Sequence, residues 1–243
     1  AWESPETLPT RTELTDALPT HHSVLSELAD PTRTPEVTAV REGIRQWRFH
    51  DSFRTDAAAP ARQPQIGTRT PVLDHDGALL APALQTIMEN GDHAALAASI
   101  DNAFAGSRVQ VHNADGLFGV QFSQPGLLRP LSAGELSDGT LRYLLLTAAL
   151  LSPRPPRLMV LNEPETSLHP EVLPALAELI RTAAGRTQII VVSHSHALVT
   201  ELARAGDSGR VSWRRHELIK ELGQTRIADQ GQFERPVWAW GRR

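Results

Sequence analysis

Helices and short apolar runs alternate in the second half of the chain. An almost wholly apolar stretch at 141–151 predicts a buried helix, and four-residue apolar runs at 158–161 and 189–192 predict buried strands. Helical periodicity predicts further helices at 170–183 and 196–203. Alternation of helices with wholly apolar strands is typical of a parallel sheet that helices cover on both faces. The pattern therefore predicts an α/β fold.

The first 130 residues have a different pattern, in which short helices precede a pair of strands. Alternating apolar and polar residues at 108–112 and 117–122 flank a turn at 113–116 and predict a β-hairpin. Three prolines between 51 and 72 predict an extended or irregular segment. The helices predicted from periodicity and capping lie at 23–28, 35–47, 78–88 and 94–104, the last of them capped by Asp92.

The change of pattern near Pro130 divides the chain into two parts. We expect 1–130 to form a mainly helical inserted lobe with its connecting hairpin. We expect 131–243 to form the α/β unit, with additional strands in its tail at 210–214 and 225–228.

Polar side chains follow the predicted strands of the α/β unit at their carboxyl ends. Asn162 and Glu163 follow the run 158–161, and His194 follows the run 189–192. Ligands bind at that edge of open α/β sheets, so Glu163 is expected to point into a crevice. His194 can donate a hydrogen bond to a phosphate. Each residue taken alone also fits an ordinary exit from a strand into a loop.

A serine and a glycine open the predicted buried helix. Ser137-Asp138-Gly139 would present free backbone N–H groups, a hydroxyl and the positive end of the helix dipole, which together make an anion site. The same residues also fit a simple helix cap, made by Ser137 or Asp138.

The composition excludes several kinds of chemistry. The chain has no cysteine, which excludes disulfides, thiol catalysis and thiolate metal sites and fits a reducing cytosol. Of its 24 Lys plus Arg residues only Lys220 is lysine, and it lies between Ile219 and Glu221, so no Gly-Lys-Ser/Thr phosphate loop is present. A net charge of -4 argues against a protein that coats nucleic acid over its whole surface. The longest apolar stretch falls short of the ~20 residues that cross a bilayer, so we expect a cytoplasmic protein without membrane contact.

Together and in this order, the polar segments resemble those of the ATP-binding-cassette (ABC) ATPases, and more narrowly of their SMC/RecF-like branch. Leu136-Ser137-Asp138-Gly139-Thr140 resembles the signature motif, 158–163 the Walker B strand, 166–170 the D-loop, and His194 the switch histidine. The resemblance implies a P-loop NTPase fold of the ABC/RecF-like head type, with a parallel sheet flanked by helices. Because no Walker A motif is present, the chain resembles the C-terminal part of such a head. We expect the P-loop on a segment outside it, and negligible ATPase activity from residues 1–243 alone.

The resemblance also implies a homodimer that holds ATP between its subunits. Ser137 and the Gly139 backbone would bind the γ-phosphate of ATP on the partner subunit. Ser167 and His169 would line the seam between the subunits.

Catalytic roles follow from the same resemblance. Glu163 would orient and deprotonate the attacking water, and His194 would contact the γ-phosphate. Asn162 occupies the position where the family has an aspartate that helps to hold Mg²⁺, normally through a water. ATP and Mg²⁺ are therefore the expected ligands, and Asn162 predicts weaker Mg²⁺ binding without implying an inactive enzyme.

Three functions stay open at this point. The first is an ATP hydrolase coupled to DNA repair or to defence against foreign DNA. The second, suggested by Asn162, is a binding module that ATP switches without being hydrolysed. The third is a metal-dependent hydrolase or nuclease that uses Glu163, Glu165, His194 and His196. Several arginines of the first lobe fit either a DNA-binding patch or a solvated surface; these are Arg45, Arg48, Arg54, Arg62 and Arg69.

Overall fold

The computed structural model describes residues 14–15, 18–28, 30–51, 53–67, 70, 72–74, 76–206, 211–221 and 223–228. Within these residues the helices are α1 (Val24–Glu27), α2 (Pro35–Arg45), α3 (Leu80–Asn90), α4 (His93–Ala103), α5 (Asp138–Leu150), α6 (Leu173–Ala184) and α7 (His196–Gly206). The strands are β1 (Arg48–His50), β2 (Gln65–Ile66), β3 (Arg108–Ala114), β4 (Leu117–Ser123), β5 (Leu131–Ser132), β6 (Leu158–Asn162), β7 (Gln188–Val192), β8 (Leu218–Glu221) and β9 (Gln224–Ile227).

A parallel sheet lies at the centre of the α/β unit. Among the described residues it has the strand order β1-β6-β7. The register aligns Asn162 with Val192, so β6 and β7 end at the same edge of the sheet. β1 belongs to the segment that we assigned to the inserted lobe, yet it pairs with the central strand of this sheet. The domain boundary at residue 130 stays a prediction.

Only one face of this sheet is largely covered by the described part of the chain. On the covered face, His50 lies beside Leu161, and the two are 5% and 0% exposed. On the other face, Val160 lies between Phe49 and Ile190. Phe49 is 55% exposed and Ile190 is 44% exposed. Within these residues helices therefore cover one face of the sheet, and the expected covering of the other face stays a prediction.

The central helix α5 joins the two parts of the chain through one apolar core. Every residue from 141 to 150 is buried, as the apolar pattern predicted. α5 packs against both α3 and α6. The ring of Phe104, just after α4, meets Tyr143 of α5 and Phe122 of β4 edge to face, with centroids 5.4 and 5.6 Å apart. The core thus fixes α5 against both the hairpin and the parallel sheet.

The predicted hairpin is present as β3 and β4. Its turn residues Asp115 and Gly116 have φ angles of 53° and 82°, and a two-residue turn with positive φ at both positions matches the twist of the flanking strands. β2 and β5 extend this antiparallel sheet on β4.

The tail differs from the sequence expectation in one place. β9 confirms the strand predicted near 225–228, and it pairs with β8. Residues 211–214 form no strand, and Arg210 lies outside the described residues. Trp213 is 42% exposed, so the alternation that suggested a strand there has no buried face to support it. No helix in the described part of the chain is both long enough and apolar enough to cross a membrane.

Candidate functional site

Glu163 and His194 lie together at the carboxyl edge of the parallel sheet. Glu163 directly follows β6, and His194 lies two residues after β7, so the parallel pairing of these strands brings both to one place. Nε2 of His194 is 3.5 Å from Oε1 of Glu163. The side chain of Glu163 is 45% exposed and that of His194 is 84% exposed. The described residues therefore hold the pair at an open surface and not in the crevice expected from the sequence.

The main chain of Glu163 is held from two sides. Its N–H donates to the carbonyl of Val192 at 2.8 Å, which ties it to β7. Its carbonyl accepts from the N–H of Thr166 at 3.1 Å and from the guanidinium of Arg142 at 3.0 Å. The φ angle of Glu163 is 45°, a left-handed conformation that costs a residue with a side chain roughly 1–2 kcal/mol. These three bonds provide the surrounding constraint that keeps Glu163 in that conformation.

The loop that carries His194 is fixed by Glu165. Oε1 of Glu165 accepts from the Ser193 hydroxyl at 2.6 Å and from the Ser195 N–H at 3.2 Å. Ser195 in turn caps α7, because its hydroxyl accepts from the N–H of Leu198 at 3.2 Å. Glu165 thus links the segment after β6 to the segment after β7.

The polar residues at this edge do not form a metal cage. No group of three or more His, Cys, Asp or Glu side chains suited to a metal ion occurs in the described part of the chain. Glu165 bonds to Ser193 and His196 begins α7, which removes the support for a metal-dependent hydrolase built on these residues. Asn162, half-buried at the end of β6, and Glu163 offer oxygen atoms. Such a donor set fits a Mg²⁺ ion held mainly by water and substrate phosphates.

The serine of the signature segment caps its own helix. The Ser137 hydroxyl accepts from the N–H of Thr140 at 3.2 Å and lies 2.9 Å from the Thr140 hydroxyl. Asp138 does not cap the helix but pairs with Arg62, at 2.6 Å. The helix-cap interpretation is therefore correct for Ser137 and wrong for Asp138. Ser137 remains exposed at the helix N-terminus, where an anion site was predicted.

Gly139 lies against the segment that resembles a D-loop. A Cβ placed on Gly139 would lie 2.5 Å from the carbonyl oxygen of Ser167. Ser167 is exposed and has a φ angle of 66°. His169 is exposed as well, and its Nδ1 accepts from the N–H of Glu171 at 3.4 Å. Ser167 and His169 are thus accessible, as residues at a subunit seam must be, and their roles stay predictions.

Neither Arg142 nor the bonding role of Glu165 was predicted from the sequence, and Arg62 was considered only as a surface arginine. Arg142 is the one charged residue in the apolar stretch 141–151, and this isolated charge was the available signal. The guanidinium of Arg62 donates to the carbonyls of Thr55, Ala133 and Leu136, among others. Nothing in the local sequence indicates the bonds to Ala133 and Leu136.

The five arginines weighed as a DNA-binding patch or a solvated surface do not share one environment. The Arg62 side chain is 8% exposed and pairs with Asp138, so it fits neither the DNA-binding patch nor the solvated surface that the sequence left open. Arg54 pairs with Asp56 through two hydrogen bonds. Arg48 donates to the carbonyls of Arg45 and Trp47. Arg69 lies outside the described residues.

Comparison with known proteins gives one family match. The sequence model of the family described as "AAA domain, putative AbiEii toxin, Type IV TA system" matches residues 15–200, which is more than half of the chain. No curated protein matches the chain.

Several solved structures are similar to the chain at low identity. One, from work described as "Structural biochemistry of ATP-driven dimerization and DNA stimulated activation of SMC ATPases", is 10% identical, with 58% of this chain and 84% of that chain covered and a TM-score of 0.45. An Smc head domain with coiled coil and joint from Pyrococcus yayanosii is 12% identical, with coverage of 62% and 28% and a TM-score of 0.47. The SMC head domain from Thermotoga maritima is 18% identical, with coverage of 61% and 51% and a TM-score of 0.41. The family match agrees with the ATPase resemblance predicted from the sequence. The α/β fold with a parallel sheet and flanking helices is confirmed by the strand pairing and the helices of the structure.

Proposed function

The chain belongs to this AAA domain family, and we propose that it binds and hydrolyses ATP as one half of a site shared between two subunits. The observation that carries the proposal is the pair formed by Glu163 and His194 at the carboxyl edge of the parallel sheet, with 3.5 Å between Nε2 and Oε1. A carboxylate beside a histidine at this edge supplies a proton acceptor and a donor for a phosphate in one place.

Each member of the pair has a distinct role in this proposal. The Glu163 carboxylate orients the attacking water and accepts its proton. His194 donates to the γ-phosphate and loses this contact when the phosphate leaves. Phosphoryl transfer depends mainly on positioning and charge stabilisation, so two well-placed side chains are a sufficient contribution from this edge.

The openness of the pair supports a composite site. A water-excluding environment strengthens such interactions, but the two side chains are 45% and 84% exposed. The remaining walls must therefore come from other segments. We propose that a P-loop segment outside these 243 residues holds the ATP phosphates, and that the signature residues Ser137 and Gly139 of a second copy close the site. Ser167 and His169 would lie at the seam between the copies.

Mg²⁺ fits this site as a companion of the nucleotide. Asn162 would contribute its amide oxygen, through a water or directly, and Glu163 lies next to it. When bound, the ion neutralises charge on the phosphates. The neutral amide of Asn162 predicts a higher Mg²⁺ requirement than an aspartate would give.

The proposal is tested with Glu163→Gln in the intact protein, by which we mean residues 1–243 together with the P-loop segment. Gln keeps the size of the side chain but cannot accept the proton, and loss of a general base lowers turnover by about 100-fold or more. Steady-state phosphate release measures this change, and size-exclusion chromatography with ATP is expected to show a stabilised dimer. The matched control is Glu42→Gln, whose side chain is 52% exposed, on α2. Turnover within a factor of two of the unmodified protein for Glu163→Gln would rule out the proposed role.

Asn162 favours a second candidate, an ATP-switched binding module. A single-turnover measurement with excess intact protein and Mg²⁺ separates the two. ATP that is bound but never cleaved would support the switch, and cleavage within seconds to minutes would support the hydrolase.

DNA is the partner that the SMC/RecF-like resemblance suggests. Arg62 cannot contribute to binding, since its side chain is buried against Asp138 and backbone carbonyls. The exposed Arg45 remains a candidate. Contacts to DNA phosphates would appear as an affinity for duplex DNA that falls steeply with salt, and an affinity without salt dependence would contradict them.

A further inference from the structure

Arg142 is a charged side chain inside a buried helix. The residue is 7% exposed, and its neighbours along α5 from 141 to 150 are all buried. One terminal nitrogen donates to the carbonyl of Glu163, whereas its Nε atom is buried and has no hydrogen-bond partner. Burial of a charge that is only partly bonded is costly, and a hydrophobic residue at such a position is often neutral or stabilising. Stability alone therefore does not account for an arginine at this position.

Glu165 is the second incompletely bonded charge at this edge. Its Oε1 atom accepts from Ser193 and from the N–H of Ser195, but its Oε2 atom is buried and has no hydrogen-bond partner. Burial lowers the pKa of Arg142, and the charges of Glu165 and then Glu163 oppose this shift. Arg142 and Glu165 therefore attract each other across the segment that follows β6.

The two charges act on different catalytic groups. Arg142 holds the Glu163 carbonyl, and so acts on the left-handed backbone that aims the Glu163 carboxylate. Glu165 holds Ser193 and Ser195, the residues on either side of His194. We propose that Arg142 and Glu165 are positioning residues, which set Glu163 and His194 relative to each other for ATP hydrolysis. This inference rests on the proposed function.

The test is Arg142→Lys in the intact protein. Lysine keeps the positive charge, but it lacks the planar fork of arginine that reaches the Glu163 carbonyl. Loss of a group that orients a catalytic residue lowers activity by about 10- to 100-fold. We expect kcat for ATP to fall by this factor, while KM and the affinity for a fluorescent ATP analogue stay within about threefold, since the nucleotide is held by other segments. A merely structural role would instead lower the fraction of folded protein and leave kcat per folded molecule unchanged.

Arg186→Lys is the matched control. The Arg186 guanidinium also donates to a backbone carbonyl, that of Ser152, but it lies just before β7, at the opposite edge of the sheet. We expect it to leave kcat unchanged. Glu165→Gln keeps an oxygen for Ser193 but removes the charge, and we expect a decrease in kcat. In the double variant Arg142→Lys/Glu165→Gln, the decrease should be smaller than the product of the two single decreases, because the residues act as a unit.

The outcomes distinguish this inference from the proposed function. If Glu163→Gln abolishes turnover but Arg142→Lys leaves kcat unchanged, the positioning role is wrong and the ATPase proposal stands. If Glu163→Gln leaves turnover intact, the proposed function itself fails. Should Arg142→Lys not fold, Ser193→Ala decides the matter. It removes the hydroxyl that donates to Glu165 and accepts from the Ser195 N–H, so we expect kcat to fall about 10-fold, and an unchanged kcat would overturn the inference.

Discussion

Gly139→Ala tests the contact between the N-terminus of α5 and the segment that resembles a D-loop. The new Cβ would lie 2.5 Å from the carbonyl oxygen of Ser167. Because this neighbour is backbone, Ser167 must move by roughly 1 Å or more to restore ordinary contact. Overpacking of this kind costs about 1–3 kcal/mol. Replacing glycine by alanine in a helix also stabilises the helix by up to about 1 kcal/mol. The cost of the clash must therefore be separated from this stabilisation.

Gly43→Ala provides the matched control. Gly43 is also helical, within α2, and a Cβ there would meet only Nη1 of Arg157, at 3.9 Å, which is an ordinary contact. The difference between the two variants removes most of the helix-propensity gain. About 1 kcal/mol shifts the melting temperature of a chain of this size by roughly 2–4 °C. Gly139→Ala should therefore melt about 2–12 °C below Gly43→Ala in a thermal unfolding experiment.

Turnover gives a second measurement of the same change. Ser167 lies four residues after Glu163, and displacement of the catalytic geometry by about 1 Å can cost 100-fold in rate. We expect Gly139→Ala in the intact protein to lose turnover and Gly43→Ala to retain it. Equal melting temperatures for the two variants would refute the close approach of α5 to Ser167, whatever the turnover.

Two further predictions concern the fold. The chain has one tyrosine, Tyr143, whose hydroxyl donates to the carbonyl of Ser99, and burial raises its pKa. The folded chain should therefore show no tyrosinate absorbance near pH 10. The free energy of unfolding should fall as the pH rises above the ordinary tyrosine pKa of about 10. A tyrosinate titration with its midpoint near pH 10 in a chain that stays folded would contradict this. Asp92 caps α4 by accepting from the N–H of Ala95 at 2.8 Å. Asp92→Ala should cost about 0.5–2 kcal/mol in thermal or denaturant unfolding, whereas Asp92→Asn should retain most of the stability, and equal losses would argue against the cap.

The position of the candidate site could be predicted because strand ends are visible in the sequence. The runs 158–161 and 189–192 are apolar and short, and the residues after them are polar. Parallel pairing then brings Glu163 and His194 to one edge without any further information. The hairpin could also be predicted from local sequence, because its turn residues Asp115 and Gly116 tolerate positive φ angles.

The supporting contacts could not be predicted in this way. The bond from Arg142 to Glu163 and the bonds from Arg62 to Ala133 and Leu136 join residues that are far apart in the sequence. An arginine has the same local signature whether it faces DNA phosphates or a backbone carbonyl. Only the packed core decides between these two environments, so the sequence alone could not identify the environment of Arg62. Phe49 and Ile190 are apolar but exposed among the described residues. An apolar residue in a sequence predicts burial, but it does not identify the segment that would bury it.

The backbone strain at this edge connects the N-terminus of α5 to Glu163. Glu163 and Ser167 both have positive φ, 45° and 66°, and together they cost about 2–4 kcal/mol. Gly139 lies against Ser167 and Arg142 bonds to Glu163. These two residues are three positions apart, so they share one face of α5. Under the proposed function, the N-terminus of α5 contacts an ATP on the partner subunit. A movement of this N-terminus would change both strained positions at once. The conformation of Glu163 would then depend on the contact between α5 and that ATP.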